Sequence, residues 1–355
     1  MKCRVLKKDE LGGLLNSLQK SYSVFAPTQD AAVPNKTVWT ELPEDQLPLE
    51  HFVNTDMSPK NFLFPQTEVM MHFSTQEGTK PPIFSPEQES DKPRILWNVR
   101  PCDAKALSFM DMIFCQDDYT CDNYWAQKRD RTILAGLACN APCPSCFCSA
   151  VDCGPHHTEG LDLLLTPLNG TYLILPVTER GNALIAHLPE ADAKAETAAA
   201  DKKIAAEERV THNLRGFSLE KVEQATLIEM YNLPYWDRVS ETCLNCGTCT
   251  FICPTCHCFD IQDETKAFQT DEGRRVRNWD FCMSPLFTLH TSGHNPRGSK
   301  TARVRQRFMH KLKYIPMKND GAIGCVGCGR CVRLCPVNID IREVAEHMNT
   351  GAEHV

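Results

Sequence analysis

Along the first 180 or so positions, apolar residues recur in two alternating rhythms. Arg94-Ile95-Leu96-Trp97-Asn98-Val99 is a short, nearly unbroken apolar run and predicts a strand. The turn Arg100-Pro101-Cys102-Asp103 leads into a helical pattern from Ala104 to about Phe114, with Leu107, Met110, Met112 and Phe114 mainly on one side. A second strand pattern over 132–138 runs directly into Cys139. Strand, helix, strand at this spacing predicts a βαβ unit in a partly parallel sheet. Upstream, residues 9–20 have helical periodicity, and 23–26 read as a short strand punctuated by Pro27. The runs 161–165 and 171–177 flank Pro167-Leu168-Asn169-Gly170 and predict a hairpin, because Asn-Gly favours tight turns.

The pattern then changes. Residues 188–209 are rich in Ala, Glu and Lys and predict an exposed helix, a spacer between domains. An amphipathic helix is expected over 217–231. After Pro234-Tyr235-Trp236 the cysteine motifs begin, which sets a predicted boundary near 235. The length of 355 residues suits two domains.

Composition narrows the class. Apolar residues make up 42% and charged residues 23%, the balance of an ordinary globular chain. The net charge of −7 disfavours a general nucleic-acid binder. No stretch approaches the ~18 uninterrupted apolar residues of a spanning helix, so no membrane insertion is expected. Nor does an apolar run follow the charges of the first ten residues, so a secretory signal is not expected either. The outlier is cysteine, with 20 residues, many at two- and three-residue gaps. A disulfide framework belongs to small secreted chains, and such gaps are too tight for most pairs to bridge. Metal ligation in a reducing compartment, the cytoplasm, is the reading that fits.

Two motifs carry that chemistry: Cys243-x2-Cys246-x2-Cys249-x3-Cys253-Pro254 and Cys325-x2-Cys328-x2-Cys331-x3-Cys335-Pro336. In such motifs three cysteines wrap one face of a cubane, and the fourth reaches across to the neighbouring cluster. Cys243, Cys246, Cys249 and Cys335 are therefore assigned to one [4Fe–4S] cluster, and Cys325, Cys328, Cys331 and Cys253 to a second. Two zinc sites would need neither the third Cys-x2-Cys step nor the Cys-Pro. Cys253 and Cys325 stand 72 residues apart, and most of the insert, especially 303–314, reads as helical. The expected fold is an α/β N-terminal domain (1–235) with a partly parallel sheet, followed by a mainly helical, two-[4Fe–4S] ferredoxin-like domain (236–355).

Other cysteines form smaller groups. Cys102 and Cys139 sit at two strand ends of the βαβ unit, at the sheet edge where ligand sites concentrate, with Cys146 and Cys148 close behind. Spacing alone leaves these four open between a third [4Fe–4S] cluster and free thiols with a zinc ion, and Cys143 is an ambiguous fifth. Cys256, Cys258 and Cys282 lack an obvious fourth ligand; packing beside the clusters is preferred over ligation or thiol chemistry. Cys3, Cys115, Cys121 and Cys153 are expected to be buried as small apolar groups. Basic residues gather between the motifs, from Arg274 through Arg297, Arg303, Arg305 and Arg307 to Lys311 and Lys313. They offset cluster charge or dock an acidic partner, or else form a solvated helix face. No GxGxxG or GxxxxGK[ST] loop occurs, so no flavin or nucleotide site is expected on this chain.

Taken together, Arg100–Leu107, Cys139…Cys146-Phe147-Cys148, Cys253-Pro254-Thr255-Cys256-His257-Cys258-Phe259, Gly293-His294-Asn295 and Cys325–Cys331 resemble one family. It is the beta subunit of cytoplasmic sulfhydrogenases, grouped with the electron-carrying subunit of anaerobic sulfite reductase. The resemblance runs from about Ser58 to Ile341. It implies an electron carrier that links a flavin- and NAD(P)-binding subunit to a terminal redox subunit. That terminal partner is left open among a nickel–iron hydrogenase, a sirohaem sulfite reductase and a heterodisulfide-reductase-like module. It also implies the third cluster at Cys102, Cys139, Cys146 and Cys148, with Cys143 and Cys153 departing from the family pattern. The competing expectation is a self-contained sulfur or disulfide reductase acting through Cys256, Cys258 and Cys282. Against it stands the lack of a recognisable acid–base pair.

Overall fold

Leu96 pairs with Leu134 in parallel register, and neither side chain is exposed. They sit at the centre of a seven-stranded mixed sheet in the computed structural model, which describes residues 1–75, 83–87, 92–117, 119–214, 217–266 and 269–351. The strands in chain order are β1 (Arg4–Lys7), β2 (Ser23–Gln29), β3 (Thr37–Glu41), β4 (Thr67–Ser74), β5 (Ile83–Pro86) and β6 (Arg94–Val99). They continue with β7 (Thr132–Leu137), β8 (Leu163–Pro167), β9 (Thr171–Pro176), β10 (Phe259–Lys266) and β11 (Gln269–Trp279). The first sheet runs β1-β9-β8-β7-β6-β2-β3, parallel across β2, β6, β7 and β8 and antiparallel at both flanks. Its parallel strands are near-continuous apolar runs because both faces are covered. One face packs on Leu11, Leu14 and Leu15 of the helix Leu11–Gln19, the other on Leu107 and Met110 of the crossover helix Pro101–Phe114. This is the partly parallel sheet expected from the periodicity, and β8 and β9 form the expected hairpin, with Gly170 at φ +73° in its turn.

The C-terminal half is not mainly helical. The insert between the two cysteine motifs opens with the hairpin β10–β11, and β11 pairs with β4. The second sheet, β10-β11-β4-β5, thus joins chain segments on both sides of residue 235. Beneath it Arg277, 1% exposed, donates to Glu68 at 2.9 Å and pairs with Asp122, while Lys128 pairs with the same Glu68. Helices supply the rest: Tyr235–Thr242, Lys300–Met309 and Ile341–Thr350 close a separate apolar core around Trp236, Met309 and Val344. The expected single helix over 217–231 is two, Glu220–Gln224 and Leu227–Tyr231, because Thr226 and Glu229 form a capping box that starts a new helix. The spacer is the helix Ala193–His212, largely exposed, with Ala199, Ala206 and Val210 turned inward.

Candidate functional site

The two cysteine motifs fold alike. Asn245 and Gly247 in the first, and Gly327 and Gly329 in the second, all have positive φ. Each second glycine starts a four-residue helix, Thr248–Phe251 or Arg330–Arg333. The winding points backbone amides at sulfur. Asn245 N donates to Cys243 Sγ at 3.3 Å and Gly327 N to Cys325 Sγ at 3.5 Å. Ile339 N does the same for Cys335, at 3.3 Å. Such donors hold a thiolate and favour its charge.

Two cavities lie against these turns. The thiols of Cys243, Cys246, Cys249, Cys331 and Cys335 line the first; those of Cys253, Cys325, Cys328 and Cys331 line the second. Cys335 thus meets the first motif, and Cys253 the second. Burial pushes the thiols of Cys243, Cys325 and Cys331 up, and that of Cys328 to about 11. Buried thiols of this kind ionise only against a compensating positive centre. Soft sulfur donors, five at the first cavity with Cys331 shared and four at the second, suit iron–sulfur cubanes. Among the described residues, no three His, Cys, Asp or Glu side chains converge on a point fit for a single metal ion. A buried, unpartnered donor also faces this region: Arg307 Nε has no hydrogen-bond partner.

The basic stretch turns inward. Arg303, Arg307, Lys311 and Lys313 are all buried, so a solvated face is excluded for them. Arg274 and Arg275 instead pair across the hairpin with Glu264 and Asp263. Lys311 Nζ donates to Thr255 Oγ1 and Gly324 O, both at 2.7 Å, and Thr255 Oγ1 lies 3.3 Å from Cys253 Sγ. Burial by itself would lower the Lys311 ammonium, yet thiolates at Cys253 and Cys256 hold it above its usual range. Lys60, which no sequence motif marks, reaches in from the N-terminal half. Its Nζ donates to Cys256 O at 2.7 Å and lies 4.0 Å from the centroid of the Trp279 ring. Burial takes it down to about 8, against the pull of Cys256 and Cys253. The signal for the helix residues was present: Arg303, Arg307 and Lys311 recur every four residues beside the apolar stripe Val304, Phe308 and Leu312.

The third group of thiols packs directly on the second motif. Cys102 lies in the first turn of the helix Pro101–Phe114 rather than at a strand end; β6 ends at Val99. The loop after β7 brings Cys139, Cys143, Cys146 and Cys148 to the same edge. The hydrogen bond with Cys143 and then burial raise Cys146, and the charges of Cys143, Cys102 and Cys139 add to the shift. Cys143 Sγ is 2.7 Å from Cys146 Sγ, so the ambiguous fifth thiol stays in contact with the group. Cys153 is close to Cys148 and is pushed up to about 12 by burial. Phe147 N donates to Gly327 O at 2.9 Å, and a Cβ on Gly327 would meet Cys148 N at 2.5 Å, so only glycine permits this approach. Arg100 braces the edge, donating to Val53 O and Ala138 O, each at 3.1 Å.

The remaining cysteines divide. Arg307 Nη1 faces Cys256 Sγ at 3.8 Å. Cys282 is buried and its thiol pushed up to about 12. None of Cys256, Cys258 and Cys282 lines either thiol cavity. Cys115 and Cys121 are not separate apolar groups but a disulfide. Cys3 lines an open groove together with Cys153, His156 and His157.

Residues 242–339 match the 4Fe–4S dicluster domain family. Over 310 residues the chain is 27% identical to sulfhydrogenase 2 subunit beta of Pyrococcus furiosus, covering 86% of this chain and 87% of that protein. The sequence motifs pointed to the same family of beta subunits. No solved structure matches. Among the described residues no helix is long and apolar enough to cross a membrane.

Proposed function

We propose that this chain is the iron–sulfur electron-transfer subunit of a hydrogenase-type complex in the cytoplasm. In this reading Cys243, Cys246, Cys249 and Cys335 hold one [4Fe–4S] cluster, and Cys325, Cys328, Cys331 and Cys253 hold a second. Cys102, Cys139, Cys146 and Cys148 hold a third. Bound clusters supply one-electron transfer, with no bond made or broken in the protein. The observation that carries the proposal is the contiguity of the three thiol groups. The third packs on Gly327 of the second motif, and Cys331 lines both cavities of the dicluster domain.

The residues then define a route. Arg330 and Gly327 hold the inner thiol groups together, and Cys246 with Leu244, 64% exposed, forms the outer end. A partner redox subunit docks there, and a flavin- and NAD(P)-binding subunit exchanges electrons at the opposite end. The terminal partner is a redox subunit of one of three kinds, a nickel–iron hydrogenase, a sirohaem sulfite reductase or a heterodisulfide-reductase-like module, and similarity to a sulfhydrogenase beta subunit favours the hydrogenase. Burial of Cys282, which pushes its thiol up to about 12, speaks against a self-contained sulfur reductase.

Anaerobic purification of the full chain tests this. Iron and sulfide should match three clusters, two clusters refuting the third site alone, and a low-potential dye should reduce them while NAD(P)H does not until the flavoprotein subunit is added. An iron-free folded chain, or NAD(P)H-driven sulfur reduction by the chain alone, would overturn the proposal.

A further inference from the structure

Resting on the ligand assignment above, we propose that Arg307 is a positioning residue that sets the reduction potentials of both clusters of the dicluster domain together, while Lys311 sets the difference between them. Arg307 lines both thiol cavities, whereas Lys311 lines only the second. The guanidinium is anchored by Nη2, which donates to Cys249 O at 2.8 Å in the first motif. Nη1 faces Cys256 Sγ, just past the Cys-Pro of that motif, and Nε is buried without a partner.

Its charge has no carboxylate to answer it. Among the described residues Arg307 forms no salt bridge with Asp or Glu, unlike the neighbouring buried Arg330 and Arg342. A guanidinium that is 3% exposed and unpaired is costly unless an anion faces it. The sulfurs that face it come from both motifs, with Cys249 and Cys331 lining the first cavity and Cys253 and Cys331 the second, and a bound cluster would make each of them anionic. Reduction adds one negative charge to a cluster, so a fixed cation beside it favours the reduced form, more strongly where water is excluded. Nε is the free donor that a cluster sulfide would accept from, which favours the reduced form further. Placed between the cavities, Arg307 acts on both clusters. Lys311, tied to Thr255 and Gly324 beside Cys253, adds its charge to one side only and makes the inner cluster the easier to reduce.

The experiment is an EPR-monitored redox titration of the full chain, in its complex where it co-purifies, with iron and sulfide measured for every variant. Arg307→Gln should lower both potentials by at least the equivalent of a tenfold loss in reduction constant, ~59 mV for one electron. Arg307→Lys, which keeps a charge but loses the Nε donor, should lower both by less. Lys311→Met should lower only the cluster of Cys253, Cys325, Cys328 and Cys331. Arg305→Gln removes the same charge from a guanidinium stacked 3.5 Å over the Tyr231 ring and should move neither. Fully loaded Arg307→Gln with unmoved potentials, or with only one moved, overturns the inference. If Arg307→Gln does not load, Arg307→Lys decides by the same criterion. A wild-type chain without clusters would instead sink the ligand assignment.

Discussion

Arg330 and Asp103, 227 residues apart, form a bidentate ion pair with Nη1–Oδ1 at 2.6 Å and Nη2–Oδ2 at 2.8 Å, at 0% and 2% side-chain exposure. Arg330 stands between Gly329 and Cys331 of the second motif, and Asp103 follows Cys102. The pair therefore clamps the third thiol group to the dicluster domain. Arg330 Nε also donates to Thr55 O at 2.7 Å, which fixes the orientation of the fork.

Breaking this clamp on one side should be expensive. Asp103→Asn leaves a buried guanidinium short of its charge partner and should destabilise the iron-loaded chain by about 3–5 kcal/mol. Replacing both, Asp103→Leu with Arg330→Met, should recover much of that loss. Anaerobic denaturant titration measures it; a cost for Asp103→Asn below ~1 kcal/mol would mean that the pair is solvated and not a clamp.

Ligation should be interleaved. Because Cys253 lines the second cavity and Cys335 the first, Cys253→Ala should abolish the EPR signal of the cluster held by Cys325, Cys328 and Cys331. Cys335→Ala should abolish the other. The opposite pairing of variants and lost signals would refute the crossing. Ligation also supplies folding free energy, so iron removal should cost the 236–355 region its cooperative melt.

The third group makes a sharper demand. Cys102→Ala and Cys139→Ala in the full chain should each remove about four irons. Cys143→Ala and Cys153→Ala should leave the iron content intact, even though Cys143 touches Cys146. A folded Cys102→Ala chain with unchanged iron would return the group to free thiols. A loss in Cys143→Ala would make that residue a ligand in place of one of the four.

Much of this was legible along the chain. Cysteine spacing is local, so the two dicluster motifs could be read from the gaps alone, and so could the βαβ unit from the change of apolar period between β6, the crossover helix and β7. The hairpin β10–β11 was missed because few of its positions are apolar: Ile261 is 45% exposed and Val276 is buried. Its register rests on Asp263 facing Arg275 and Glu264 facing Arg274, a charge complementarity across strands that periodicity does not detect.

What the sequence determined by itself was the chemistry: which residues are thiols, how many close sets they make, and that the soft donors suit iron and sulfide. The tertiary structure decided the electrostatics and the order. The apolar stripe Val304, Phe308 and Leu312 marks which side of this segment packs, but only the tertiary structure shows that Arg307 and Lys311 beside it are buried at the thiol cavities. The contact between Gly327 and Cys148 joins segments far apart in the chain, and no local pattern encodes such a meeting. It follows from burying both faces of the first sheet and the separate C-terminal core at once.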